Sequence, residues 1–216
     1  MWAVLAAAGR GERLGDDRPK AFARLGDLPL VAEPLRRLDE SEWIEGIVVA
    51  APPGWEEPCI VLAEELGAGK VSAVVTGGDT RAASVRAALA AVPEDAAVVL
   101  VHDAARPLVS DDVIGRVLAP LSEGYDGAVP VVPISDTVKR VREGEVVETV
   151  EREGLVLSQT PQAFVAAALR RAVGGEGTDC ASLVEKQGGR IKAVDGDPRL
   201  LKVTSREDLA LVASWL

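Results

Sequence analysis

Candidate chemistry concentrates where apolar runs stop. Val98-Val99-Leu100-Val101-His102-Asp103-Ala104-Ala105-Arg106-Pro107 passes from aliphatic residues into a carboxylate at Asp103. A carboxylate at a strand end that faces a polyanion needs a cation between the two. Magnesium takes one or two carboxylates and completes its shell with phosphate oxygens, so Asp103 is a natural ligand. Arg106 has the geometry to bind a phosphate or to brace the loop. His102 is the only histidine; it excludes a multi-histidine metal site, and a structural hydrogen-bonding role is expected for it. Cys59 and Cys180 fit no C-x-x-C spacing and are expected to be free thiols.

A second stretch is Ala6-Ala7-Ala8-Gly9-Arg10-Gly11-Glu12-Arg13-Leu14-Gly15. Glycines after a strand let the backbone turn tightly and approach a ligand, and its N–H groups can cradle phosphate oxygens. The spacing G-x-G-x-x-x-G is neither the dinucleotide fingerprint nor a Walker loop. The charge around it is informative: residues 1–37 carry seven basic and five acidic side chains, +2 within a chain of net −10. Positive charge gathered beside a glycine loop in an acidic protein suits a polyanion. Lys20 follows Pro19, with Phe22 placed to anchor it, which would fix an ammonium as transition-state stabilisation requires.

Thr76-Gly77-Gly78-Asp79-Thr80-Arg81 joins a strand to a helix, and its turn offers backbone donors and acceptors to a base or ribose. Ser84 lies one turn into that helix, looking back at the loop. Arg152, Thr160 and Lys202 are unremarkable in isolation. Asp179 reads as a helix-start residue.

Apolar runs at Trp2–Ala7, Ile47–Ala51, Val71–Val75, Ala97–Val101 and Ala128–Val132 are too short for helices and read as buried parallel strands. Helical stretches are expected at Leu30–Asp39, Trp55–Leu66, Arg81–Val92 and Asp111–Leu121. This alternation predicts an α/β fold with a doubly wound, mostly parallel sheet, with ligands beyond the carboxyl ends of the strands. Residues 134–150 alternate apolar and charged about Glu143-Gly144. They read as a β-hairpin, Thr137–Val141 and Val146–Val150, protruding as an arm and suited to pairing with a second copy. A strand at Leu155–Ser158, helices at Gln162–Val173 and Asp179–Gln187, a strand at Arg190–Val194 and a helix after Ser205 complete the expectation.

The 216 residues suit a single domain over 1–216 with the arm inside it, and 48% are hydrophobic, enough for a core without disulfides. No apolar run reaches the roughly 20 residues of a membrane span, and the N-terminal residues lack a basic signal start. A net charge of −10 argues against general nucleic-acid binding. A cytoplasmic protein, with no membrane and no nucleic-acid partner, is expected.

No nucleophile–base pair is visible. A glycine loop, fixed cations, a strand-end carboxylate and a Gly-Gly turn suit a reaction whose substrates bring nucleophile and leaving group themselves. Nucleotidyl transfer is such a reaction. A non-catalytic nucleotide-binding module would not need Arg13, Lys20, Asp103 and Lys202 together.

The sequence resembles the 2-C-methyl-D-erythritol 4-phosphate cytidylyltransferases of the non-mevalonate isoprenoid pathway, from residue 3 to about residue 208. The resemblance rests on Ala-Ala-Ala-Gly-Arg-Gly-Glu-Arg, Pro-Lys, Gly-Gly-Asp-Thr-Arg-Ala-Ala-Ser, Val-His-Asp-Ala-Ala-Arg-Pro, Asp-Thr-Val-Lys, Thr-Pro-Gln and Leu-Lys-Val-Thr. The glycine loop with Pro-Lys is shared by many nucleotidyltransferases; the Val-His-Asp block is more specific. The resemblance implies a Rossmann-like nucleotidyltransferase acting on CTP, with Mg2+ and as a homodimer. Arg13 and Lys20 would stabilise the five-coordinate phosphorus. Ala7, Ala8 and Gly9 would line the CTP, Gly78, Asp79 and Ser84 would recognise cytosine and ribose, and Asp103 would lie beside the CTP and bind the metal. Arg106, Thr160 and Lys202 would serve the acceptor, with Lys202 placing the attacking phosphate. Thr137 and Arg152 would reach into a neighbour's site. A phosphorylated polyol such as ribitol 5-phosphate is the alternative acceptor. Three positions depart from the family's habit: Leu200 replaces a polar residue, Cys180 replaces an acidic one, and Glu151 precedes Arg152 where Asp is commoner.

Overall fold

The computed structural model describes residues 1–9, 11, 18–175, 177 and 179–216. Its centre is a mixed sheet. The strands are β1 (Trp2–Ala6), β4 (Gly46–Ala51), β5 (Val71–Thr76), β6 (Val98–Asp103), β7 (Gly127–Pro133), β10 (Val156–Ser158), β11 (Gln162–Val165) and β12 (Ile191–Asp195). Across the sheet the order is β5, β4, β1, β6, β11, β7, with β12 parallel to β7 along its other edge. β10 continues β11's line against β7. Only β10 and β11 run antiparallel to their neighbours; β1, β4, β5 and β6 are mutually parallel.

The central strands form because their sequences are apolar on both sides. All of β4, Gly-Ile-Val-Val-Ala-Ala, is buried, as a strand covered on both faces requires. Alternation along β1 sends Ala3 and Leu5 to one face and Val4 to the other. On the Leu5 face lie α1 (Ala32–Glu40), α2 (Glu56–Glu65) and α4 (Asp111–Ser122), through Leu35, Leu38, Leu62, Val113 and Val117. On the Val4 face lie α3 (Arg81–Leu89), α5 (Ala166–Ala172) and α6 (Cys180–Lys186), through Val85, Leu89, Leu169 and Leu183. The doubly wound expectation holds, and the strand order reverses at β1, between β4 and β6. That crevice is where such sheets bind ligands.

One expectation fails. Residues 162–173 read as a single helix, but Gln162–Val165 is a strand and the helix begins at Ala166. The four residues lie extended between β6 and β7, with Phe164 fully buried. Tertiary pairing overrides the local helical preference of the alanines that follow. A short ribbon, β2 (Arg24–Leu25) with β3 (Leu28–Pro29), also escaped sequence reading. It packs with α7 (Arg206–Ala213) in a small third cluster around Leu25, Leu30, Val203 and Val212.

β8 (Val138–Arg142) and β9 (Glu145–Val150) form a separate two-stranded antiparallel sheet. Its turn places Glu143 at φ 49° and Gly144 at φ 86°, the paired positive dihedrals of a tight hairpin. Lys139 donates to Thr149 and Arg140 pairs with Glu148, both at 2.5 Å.

Candidate active site

A cleft of about 580 Å³ opens at the reversal point. Its lining joins Ala6, Ala7, Ala8, Gly9 and Gly11 after β1 with Gly78, Asp79, Thr80, Arg81 and Ser84 after β5. Asp103, Ala104 and Ala105 come from the end of β6, Lys20 from the segment after the glycine loop, and Lys202 from the approach to α7. Residues distant in sequence are thus brought onto one surface by strands that end together. Arg13 lies outside the described residues.

The loops are fixed from below. Ala7 N–H donates to the Ala50 carbonyl at 2.9 Å, Gly77 N–H to the Ala51 carbonyl at 2.8 Å and Ala104 N–H to the Ala6 carbonyl at 3.0 Å. A Cβ at Gly77 would lie 2.2 Å from the Ala8 Cβ, so only glycine lets the two loops touch. Lys20 opens a single 3-10 turn, Lys20–Phe22. Phe22 is buried and its ring lies 4.5 Å from that of Trp55, while Val31 N–H donates to the Ala21 carbonyl. Gly11, at φ 70°, approaches so closely that a Cβ there would lie 2.4 Å from the Lys20 Cβ. Gly11 and Lys20 are therefore packed directly against each other.

Ser84 is buried, and its hydroxyl accepts from Gly78 N–H at 3.1 Å and lies 2.9 Å from the Thr80 carbonyl. Thr80 caps α3 by accepting from Ala83 N–H at 3.1 Å. The Gly78-Asp79-Thr80 turn is held in shape with α3's positive end behind it.

Asp103 is the electrostatic centre. Arg81 Nε donates to its Oδ1 and Lys202 Nζ to its Oδ2, each at 2.7 Å. Burial works against ionisation here, but the Arg81 and Lys202 charges outweigh it and hold the carboxyl well below the usual range. Both carboxylate oxygens of Asp103 thus face a side-chain cation. Arg81 was not singled out from sequence. Its signal was a basic residue in the first turn of a helix, where the dipole disfavours it unless an acid lies opposite. Arg81 Nη1 also donates to the Cys180 sulfur at 3.3 Å. Both cysteines are free and buried, and burial pushes their thiols up, to about 12 for Cys59.

Behind Asp103 runs a directed hydrogen-bond chain. Asp103 N–H donates to Thr160 Oγ1 at 3.1 Å, and Thr160 Oγ1 lies 3.1 Å from His102 Nδ1. His102 Nε2 lies 2.9 Å from the Arg106 carbonyl. A carbonyl only accepts, so Nε2 carries the proton and Nδ1 accepts from the Thr160 hydroxyl. Burial lowers the His102 pKa to about 4, and the ring is neutral at neutral pH. Arg106 donates through Nη1 to the Leu200 carbonyl at 2.6 Å and through Nη2 to the Ser158 carbonyl at 3.3 Å. Arg106 and Thr160 therefore stand behind the cleft wall and tie β6 to the segments around residues 158 and 200. Leu200 is fully buried and offers its backbone carbonyl to Arg106.

Thr137 and Arg152 are exposed beside the hairpin and do not line this chain's cleft. Arg152 Nη1 donates to the carbonyls of Ile134 and Ser135.

Fold and cleft together define a nucleotidyltransferase of the doubly wound class. A family model described as 2-C-methyl-D-erythritol 4-phosphate cytidylyltransferase (IspD) matches residues 1–216. The protein of that name from Frankia casuarinae is 44% identical over 218 residues, covering 99% of this chain and 80% of that one. The one from Nocardia farcinica is 42% identical over 217 residues, covering 99% and 93%. Among solved structures, a 4-diphosphocytidyl-2C-methyl-D-erythritol synthase superposes with a TM-score of 0.84 at 31% identity, covering 99% of this chain and 96% of that one. The cytidylyltransferase from Thermus thermophilus gives 0.80 at 35% identity, covering 98% and 96%. This chain belongs to the 2-C-methyl-D-erythritol 4-phosphate cytidylyltransferase family.

Proposed function

We propose that the protein transfers the cytidylyl group of CTP to 2-C-methyl-D-erythritol 4-phosphate and releases pyrophosphate, a step in making isoprenoids. The observation that carries this is the convergence of Lys20, Asp103, Arg81 and Lys202 on one cleft at the sheet's reversal point, beside two glycine turns. Among the described residues His102 is the one histidine, and its nitrogens are engaged by Arg106 and Thr160. It is not placed to activate a nucleophile.

An oxygen of the acceptor phosphate attacks the α-phosphorus in line. The bond from that phosphorus to the bridging oxygen breaks, and its electron pair leaves on pyrophosphate. Catalysis is then positioning plus neutralisation of the five-coordinate phosphorus. Lys20, with Arg13, supplies positive charge to the triphosphate. Ala7, Ala8 and Gly9 lie along the nucleotide, and Gly78, Asp79 and Ser84 present the turn that reads cytosine and ribose. Lys202 places the attacking phosphate, while Thr160 and Arg106 hold the acceptor-side wall.

Magnesium fits the donor set. Among the described residues no three His, Cys, Asp or Glu side chains form a ready-made cage. Asp103 would offer its Oδ2 once Lys202 turns toward the acceptor phosphate, and an ion of this kind completes its shell with phosphate oxygens and water. Bound there, the ion would offset charge on the triphosphate.

The working form is a homodimer built through residues 134–150. Val141, Val146 and Val147 on the hairpin and Leu155, Val156 and Leu157 just after it are each between 42% and 61% exposed, apolar side chains that a second copy could cover. Thr137 and Arg152 then serve the partner's acceptor pocket. No described helix is long and apolar enough to cross a membrane, and a cytoplasmic setting belongs to the same proposal.

The test is pyrophosphate release with each of the four nucleoside triphosphates plus 2-C-methyl-D-erythritol 4-phosphate, and with CTP plus ribitol 5-phosphate. Release is expected with CTP and the methylerythritol phosphate. Faster turnover of ribitol 5-phosphate would overturn the acceptor assignment, and silence with all four nucleotides would overturn the reaction.

A further inference from the structure

Asp103 is shared by two cations in different settings. The Lys202 side chain is 42% exposed and the Arg81 side chain 23%, while that of Asp103 is 8% exposed. Lys202 therefore stands at the mouth of the cleft and Arg81 at its wall. A lysine that must serve a phosphate has to turn its ammonium away from Asp103. If it were the only partner, its departure before a metal ion arrives would leave a buried carboxylate unpaired, a strongly disfavoured state.

We propose that Arg81 is a positioning residue that keeps Asp103 neutralised from within, so that Lys202 is free to leave the carboxylate and engage a substrate phosphate. The inference rests on the cytidylyltransfer reading. Its geometry is on each side of the guanidinium. Nε holds Asp103 Oδ1 at 2.7 Å, on the opposite oxygen from Lys202. Nη1 is fixed by the Cys180 sulfur at 3.3 Å, from the first turn of α6. The thiol is neutral, so Arg81 faces one ion pair rather than two and its charge is not divided. Arg81 also begins α3, against the helix dipole; the carboxylate opposite is what makes that position tolerable. Arg81, Asp103 and Lys202 together carry net +1, ready for an anion.

The test is a double-mutant cycle on kcat/KM with CTP and the methylerythritol phosphate. Arg81→Gln is expected to lower kcat/KM about tenfold or more in the wild-type background, and by less than about twofold when Lys202 is already Gln. Equal losses in the two backgrounds would show a role unrelated to releasing Lys202 and would overturn the proposal. Arg81→Lys is the second arm. It keeps a charge at Asp103 and should stay within about threefold of wild type; a loss as deep as about tenfold overturns the proposal whether or not the Gln variant folds. An active wild type with an unaffected Arg81→Gln variant removes Arg81 alone. An inactive wild type brings down the reaction assignment with it.

Discussion

Two adjacent titratable residues at the end of β6 answer acid in opposite ways. Asp103 is held ionised by its cations, whereas His102 is held neutral by burial. The unfolded chain takes a proton on His102 below its ordinary pKa of 6.5, and the folded chain does so only near 4. Between those values the unfolded state binds more protons, so stability falls as pH falls. The loss should reach about 3 kcal/mol near the lower limit. The carboxylates held below their usual range, Glu56, Asp103, Glu207 and Asp208, start from ordinary values of 4.5 or 3.8 and lose most of their contributions below those values. Denaturant midpoints measured from pH 6.5 to pH 4.5 should therefore decline in the wild type. The slope should flatten in His102→Gln, even though that variant starts less stable. A slope that the substitution leaves intact would assign the decline elsewhere.

At the scale of elements, β11 is the wedge that makes the sheet mixed. Its Phe164 is fully buried, and a Cβ on facing Gly127 would lie 2.4 Å from the ring. Phe164→Ala should cost about 3–5 kcal/mol, as large aromatic truncations in tight cores do, read from the shift in urea midpoint at unchanged m-value. A cost below about 1 kcal/mol would mean that the strand collapses onto the space. This wedge was also what the sequence concealed. Gln162-Ala163-Phe164-Val165 leads straight into Ala166-Ala167-Ala168-Leu169, and nothing local separates strand from helix. The parallel strands were legible because burial on both faces leaves uninterrupted apolar runs. Asp103 was legible for the same reason, as the carboxylate that ends such a run. Arg81 was not, because its partners lie 22 and 99 positions away and only the fold brings them together. Thr160 and Lys202 stood out only through family resemblance; their geometry depends on where β10, β11 and the approach to α7 are laid against β6.

The whole molecule sets apart a cleft at the reversal point and a hairpin that pairs with no other strand among the described residues. If Arg152 serves the partner's acceptor pocket, Arg152→Ala and Lys20→Ala chains mixed into heterodimers will rebuild one intact site per pair. Activity should then rise from near zero toward about half the wild-type level per site. Verified heterodimers that stay inactive would mean each chain completes its own site. The chain's order of synthesis carries another consequence. Lys202 approaches Asp103 from 99 positions downstream, and Val203 N–H closes on the Ala105 carbonyl at 2.8 Å. During translation the glycine loop, the Gly-Gly turn and the end of β6 all leave the ribosome before that lysine does. A chain that stops short of Lys202 cannot assemble the complete set of cations, and it lacks the ammonium that places the attacking phosphate.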